Sequence, residues 1–442
     1  MTAWWCENAW LPPGQVASSV LITVVDGRIG GIEIGVDRPP TAELLRGLVI
    51  PGFANTHSHA FHRALRGRTQ SGRGDFWSWR EQMYAVANRL TPDSYMALAR
   101  ATYAEMALAG ITSVGEFHYV HHQPGGTPYD APNIMGAALI EAAALAGVRL
   151  TLLDTCYLAG GFDEPLAAPQ LRFGDGSADG WATRVDALDV GAPHMQLGAA
   201  IHSARAVPAD QAGVVADWVR DRDVPVHFHL SEQQAENDAC LARHGMTPTQ
   251  LLASVGALGP AATAVHATHL RSGDISLIAG TSTGVCFCPT TERDLADGIG
   301  PAGALAAGGV ALSLGSDGHS VIDLFEEARA LELDERLATN VRGTFGAVRL
   351  LEAATVVGHH ALGWADAGQL ALGMRADLVA VDLNSRRTAG GLINVETVVF
   401  AASAADVTDV IVDGVVVVKD RHHVRVDDIG VALRDAIGAV TL

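Results

Sequence analysis

Residues 51–59 read Pro51-Gly52-Phe53-Ala54-Asn55-Thr56-His57-Ser58-His59, and an apolar run at 47–50 leads into them. Successive side chains on a strand point to opposite faces, so residues two apart share one. His57 and His59 therefore present two imidazoles side by side at the end of a buried strand. Two neutral nitrogen donors on one rigid face are half of a zinc or iron site. The rest of the chain has to supply further ligands, a proton-transfer group and a fold that gathers them.

At 442 residues the chain can bury a large core. Length alone suggests two or three domains, but α/β barrels run long as single domains. Hydrophobic residues make up 48% and charged residues 18%, an ordinary globular balance. The formal net charge of −19 argues against nucleic acid and against anionic membrane surfaces as partners. An anionic substrate must then be met by local arginines. The chain has a single lysine, Lys419. Its cysteines (Cys6, Cys156, Cys240, Cys286, Cys288) are odd in number and scattered. The first residues lack a basic segment followed by an apolar one, and no apolar run approaches the ~20 residues of a membrane span. A cytoplasmic protein with reduced thiols is expected.

The two ends of the chain are β-rich. Residues 20–25 and 29–34 flank the turn Asp26-Gly27, and residues 410–412 and 415–418 flank Asp413-Gly414. The middle alternates strand and helix. Strands are expected at 48–55, 112–118, 149–156, 196–202, 225–230, 263–268, 284–288 and 311–315. Helices are expected at 92–109, 133–146, 209–220, 247–255 and 272–279. Eight β-α units in about 320 residues imply a TIM-like (β/α)8 barrel over 48–373. Residues 1–47 and 374–442 would form one small β-sandwich domain from both termini. Two long segments, 61–90 and 157–187, follow strand C-termini, the catalytic face of such barrels.

Polar groups recur at those strand ends. His229 ends one apolar run and Glu232 follows in the loop; His266 ends the next; Asp317 follows the last. His57, His59, His229 and Asp317 together suit one divalent ion, Zn2+ or Fe2+, which would lower the pKa of a bound water toward ~7. Glu232 can carry a proton from that water to a leaving nitrogen. His266 can hydrogen-bond the added oxygen or the polarised substrate atom.

The set resembles the amidohydrolase superfamily in its mononuclear deaminase branch, over almost the whole chain. Binuclear members typically bridge two metals with a carboxylated lysine, and no lysine lies in the barrel. Within the branch the chain is similar to the formimidoylglutamate deiminase family. The matching stretches are NTHSHAFHRA (55–64), FWSWREQMY (76–84), GEFHYVHH (115–122), IHSARAV (201–207), HFHLSEQ (227–233), VHATH (265–269) and CPTTERDLAD (288–297). The resemblance implies that His57, His59, His229 and Asp317 hold one zinc ion per chain. It implies that Glu232, His266 and Asp317 are catalytic, and that Arg80, Tyr119, His202 and Arg205 hold a small dicarboxylate. The family pattern has Gln three residues after the second metal histidine, where this chain has His62, a further substrate-binding candidate.

The expected reaction is hydrolysis of N-formimino-L-glutamate to N-formyl-L-glutamate and ammonia, in histidine degradation. Two carboxylates call for bidentate arginines, and Arg80 and Arg205 both fall in loops after strands. The alternatives are a deaminase of another amidine (guanine, cytosine or a modified adenosine) and a non-catalytic binding barrel. A homodimer is expected, as is common for such barrels. Cys286-x-Cys288 reads as small apolar packing, and His227, His269 and His319 as hydrogen-bonding residues behind the ligands.

Overall fold

The computed structural model describes residues 2–70 and 76–441; the side chains of Phe76 and Trp77 lie outside the described set. Four strands come first: β1 (Thr2–Leu11), β2 (Gln15–Val25), β3 (Arg28–Ile34) and β4 (Glu43–Pro51). Eight follow in the middle: β5 (Phe53–Ser58), β6 (Ile111–His118), β7 (Arg149–Cys156), β8 (Met195–Ser203), β9 (Val226–Leu230), β10 (Ala262–His266), β11 (Gly284–Phe287) and β12 (Leu312–Leu314). The chain then returns with β13 (Leu378–Val381), β14 (Val407–Val412), β15 (Val415–Lys419) and β16 (His422–His423).

Strands β5 to β12 pair in chain order and in parallel, with helices between them, which is the expected (β/α)8 barrel. Strands β6 and β7 are buried along their whole length, as strands between a filled barrel and a helical shell must be. The remaining eight strands form one mixed sheet in the order β16-β15-β14-β13-β4-β1-β2-β3. It encloses its own core, in which Trp4, Val20, Ile22 and Leu45 meet Leu378 and Ile411. The sheet curls until its two hairpin turns touch. Ala376 accepts the Gly414 N–H at 2.9 Å through its carbonyl and donates its own N–H to Gly27 O at 2.8 Å.

The run expected as one strand over 48–55 is two. Residues up to Pro51 belong to β4, at the centre of the terminal sheet, where Leu48, Val49 and Ile50 pair with Val381, Ala380 and Val379. The barrel begins at Phe53. Gly52 makes the crossing, and a Cβ there would lie 2.3 Å from the Thr112 side chain, so only glycine fits.

The described residues of the two long segments include helices. Residues 60–65 form a 3-10 turn, and α1 (Phe76–Ala87) follows. Next comes α2 (Pro92–Leu108), with Thr91 capping it by accepting from Ser94 N–H. The second segment carries the 3-10 turn Ala168–Phe173 and the helix Ala178–Asp186. Arg172, fully buried, ties the two segments together: it donates to the carbonyls of Ala87, Leu90 (3.1 Å) and His122 (3.0 Å). Among the described residues no helix is long and apolar enough to cross a membrane.

The barrel and the terminal sheet meet at a buried ion pair. Arg149, at the start of β7, donates both amino groups to Asp377, which precedes β13, and one of them to Asp413 at 3.0 Å. Arg149 and Asp377 are 0% and 1% exposed. Replacing Arg149 by Met strands the Asp377 carboxylate in the core and should cost about 3–5 kcal/mol. The measurement is the urea midpoint, and an unchanged midpoint would show that this pair does not join the two sheets.

Candidate active site

The polar strand ends meet at the C-terminal mouth of the barrel. His57 Nε2 lies 3.2 Å from His229 Nε2 and 3.3 Å from Asp317 Oδ1, and His59 Nε2 lies 3.4 Å from the same oxygen. All four residues are buried.

Backbone carbonyls orient two of the rings. His59 Nδ1 is 2.9 Å from Phe117 O, and His229 Nδ1 is 3.0 Å from His202 O. A nitrogen facing a carbonyl must carry the ring proton, which leaves Nε2 of both residues as bare acceptors. The His229 lone pair and the Asp317 carboxylate both face His57 Nε2, and the His59 lone pair faces the same Asp317 oxygen. A single proton on His57 serves one of them at a time, whereas a divalent cation at the centre satisfies all four. Burial drives the imidazoles toward the neutral form that ligates. The His57 and His229 pKa values fall below the ordinary value, and that of His59 falls to about 3, with His57 adding to the effect. Burial alone would raise Asp317, but His57, His266 and His59 hold it well below the usual carboxylate range. The donor set thus fits a zinc-like or iron-like ion.

Glu232 and His266 flank the constellation. His266 Nε2 is 3.8 Å from Glu232 Oε1, and His266 Nδ1 is 3.4 Å from Glu292 Oε1. Burial lifts the Glu232 pKa, against the pull of His266 and Arg205. It would lower His266, yet Glu232, Glu292 and Asp317 raise that imidazole well above its usual value.

One cavity collects the remaining candidates. Its walls include His59, His62, Arg80, Tyr119, His202, Arg205, Glu232, His266 and Asp317. Helix α1 contributes Trp79, Arg80, Met83 and Tyr84 from one face. Arg80 donates to Tyr84 Oη and, at 3.3 Å, to Gly160 O. Arg205 follows β8; burial would depress its guanidinium, but Glu236, Tyr157 and Glu232 hold it up. His62 lies over His59, with ring centroids 4.4 Å apart, and its Nε2 is 3.0 Å from Tyr119 Oη. Burial keeps its pKa well below the ordinary value, so it stands there as a neutral ring.

The other histidines fall into place around this set. His227 Nε2 bonds Ala361 O at 3.0 Å, away from the constellation. His121 and His122 are buried beside Asp154 and Asp175, and His359 is buried while His360 is exposed. Several contributors escaped sequence reasoning. Phe117 and His202 act through main-chain carbonyls, which any residue type supplies. Glu292 lies inside a quoted stretch, but nothing in its spacing marks it as the partner of His266.

Behind the ligands runs a continuous chain of hydrogen bonds. Asn55 donates to Ser316 Oγ at 2.7 Å, Ser316 Oγ is 2.9 Å from His319 Nδ1, and His319 Nε2 is 3.2 Å from Ser58 Oγ. Ser58 donates to Glu116 at 2.8 Å, and Glu116 accepts the Ala60 N–H at 2.7 Å. The chain brackets His57 and His59 on one side and Asp317 on the other. A His319→Ala variant, which cuts it at the centre, should bind the metal about 10- to 100-fold more weakly in competition with a chelator. Equal affinity would mean that the chain does not hold the ligands in place.

Comparison with known proteins follows this geometry. Residues 48–417 match the model of the Amidohydrolase family. A formimidoylglutamate deiminase of Pseudomonas aeruginosa is 36% identical over 438 residues, covering 96% of each chain. A 5-methylthioadenosine/S-adenosylhomocysteine deaminase of Natronomonas pharaonis is 29% identical, over 88% of this chain and 85% of that one. An 8-oxoguanine deaminase of Pseudomonas aeruginosa is 29% identical, over 84% and 83%. Among solved structures, an amidohydrolase from Brucella melitensis superposes with a TM-score of 0.92 at 33% identity, over 100% of both chains. A family model that spans most of the chain, and relatives aligned along nearly all of it, place the protein in one group: it belongs to the amidohydrolase family of metal-dependent hydrolases.

Proposed function

We propose that the protein is a deiminase of N-formimino-L-glutamate that yields N-formyl-L-glutamate and ammonia, with one zinc ion on His57, His59, His229 and Asp317. One observation carries the reading: Arg80 and Arg205 line the same cavity as three of the four ligand candidates, His59, His229 and Asp317. A substrate with an amidine at one end and two carboxylates at the other needs that pairing. The formimidoylglutamate deiminase at 36% identity supports the same choice.

A divalent ion here supplies Lewis acidity and lowers the pKa of a coordinated water toward ~7. The chain's own residues do the rest. Arg80 and Arg205 hold the carboxylates, with Tyr119, His202 and His62 shaping the space between. The amidine carbon gains an oxygen from water and loses its terminal nitrogen as ammonia. Glu232 takes up the water proton and gives it to that nitrogen. His266 donates from Nε2 to the incoming oxygen.

A second reading has support of its own. Trp79, Tyr84, Tyr119 and Tyr157 form an aromatic wall suited to a heterocycle, and the relatives at 29% identity are purine and nucleoside deaminases. Such neutral rings leave the two arginines without a task.

Incubation with formiminoglutamate, with ammonia and formylglutamate identified as products, tests the proposal. Release of formamide, or turnover confined to purines, overturns it. Arg205→Met should lower kcat/KM for the dicarboxylate roughly 10- to 100-fold, since a hydrogen bond to a charged group is worth about 1.5–3 kcal/mol; unchanged kinetics would place the carboxylate clamp elsewhere. Glu232→Gln should keep its metal and lose about 10^2- to 10^4-fold in kcat. A metal-replete variant at full speed would remove Glu232 from the proton path.

A further inference from the structure

The two oxygens of Asp317 face different neighbours. Oδ1 points to His57 and His59, whereas Oδ2 lies 3.9 Å from His266 Nε2. His266 stands outside the four-ligand set, yet its ring is held as a ligand's ring would be. Glu292 Oε1 takes its Nδ1 side, which leaves Nε2 as the atom that can ligate once it gives up its proton; a carboxylate behind a histidine is how proteins fix and strengthen a metal ligand. The same oxygen accepts the Cys288 backbone N–H at 2.8 Å. One acid therefore positions both the imidazole and the cysteine.

Cys288 completes a group. The ligand atoms of His266, Cys288 and Asp317 all lie within 4.8 Å of one another, and all three residues are buried. Cys288 also packs with Val265 and Cys286 in a small apolar cluster. Nothing in the proposed reaction uses it.

We propose that His266, Cys288 and Asp317 form a second, inhibitory site for a soft divalent ion such as excess zinc or cadmium, with Asp317 shared between the two positions. The donor types select this class: thiolate and imidazole favour zinc and cadmium over magnesium or calcium. Donors around a tetrahedral ion at 2.0–2.3 Å stand about 3.3–3.8 Å apart, so occupation needs only small side-chain movements. The Cys288 thiol and His266 Nε2 each release a proton on binding, and the thiolate, with the Asp317 carboxylate shared between the two ions, offsets part of the added charge. The ion then occupies His266 Nε2, the atom facing Glu232 across 3.8 Å. Excess metal therefore inhibits by blocking the proton path, whatever the substrate.

The test is cadmium titration of the metal-depleted full-length protein, followed by the ultraviolet charge-transfer band of thiolate-bound cadmium. The first equivalent meets nitrogen and oxygen donors and gives no band. The second gives the band, and Cys288→Ser abolishes it while still binding the first. In activity assays the same variant should need at least about tenfold more zinc for half-inhibition. Cys288→Ala serves if the serine hydroxyl stands in for the thiol, and uptake of the first equivalent reports that each variant is folded. A band that persists in Cys288→Ser, a band lost only in Cys286→Ser, or a parent protein that takes up one cadmium and shows no band overturns the proposal. The cadmium readouts involve no substrate, so they stand apart from the identity of the reaction.

Discussion

The barrel closes through the residues that can hold its metal. Strands β5 and β12 are the first and last of the cylinder, and Asp317 joins them. Its N–H donates to His57 O at 3.0 Å, and its carbonyl accepts the His59 N–H at 3.4 Å. Gly315 packs flat against His57, where a Cβ would stand 2.8 Å from His57 Cβ. Seam and constellation are therefore one structure. Its geometry has a cost: Ser231, His266 and Asp317, each at or just past a polar strand end, have φ of 50°, 69° and 39°. Left-handed backbone at such residues costs about 1–3 kcal/mol each and persists only where the surroundings fix it. Here the surroundings are the seam bonds, Glu292 and the chain from Asn55 to Glu116.

The electrostatics follow from the same burial. Imidazoles taken out of water lose their charge, which suits them to ligate and leaves Asp317 as the anion among the four. The protein as a whole repels anions. Arg80 and Arg205 offset that locally, and neighbouring tyrosines, carboxylates and a main-chain carbonyl hold them in place. Arg172 does the same for the walls: by bonding three carbonyls in two separate excursions, it makes one rigid rim from segments far apart in sequence.

Much of this was legible in the sequence because it rests on periodicity and residue type. Strand ends bearing His or Asp, a lysine confined to position 419 and the turn pairs at 26–27 and 413–414 are all written in the letters. The split of 48–55 was not, because Leu48, Val49 and Ile50 are equally apt for either sheet and only the approach of Gly52 to Thr112 divides them. Helix α1 was hidden because Trp79 and Tyr84 serve the cavity as well as the core against which they pack, so the aromatic stretch reads as a binding loop. The carbonyls of Phe117 and His202 were invisible in principle, since main-chain acceptors have no residue code. The position of His62 was visible, but its neutrality depends on a burial that sequence does not report.

The seam also sets a timetable for the chain's own assembly. His57 and His59 leave the ribosome some 260 residues before Asp317, a spacing that follows from their numbers. Until β12 arrives, β5 is an open strand edge, and such edges invite pairing with other chains. A nascent barrel holds two imidazoles, and even with His229 added it lacks the one carboxylate. The full set of three imidazoles and one carboxylate therefore exists only in the finished cylinder, after the last strand has docked.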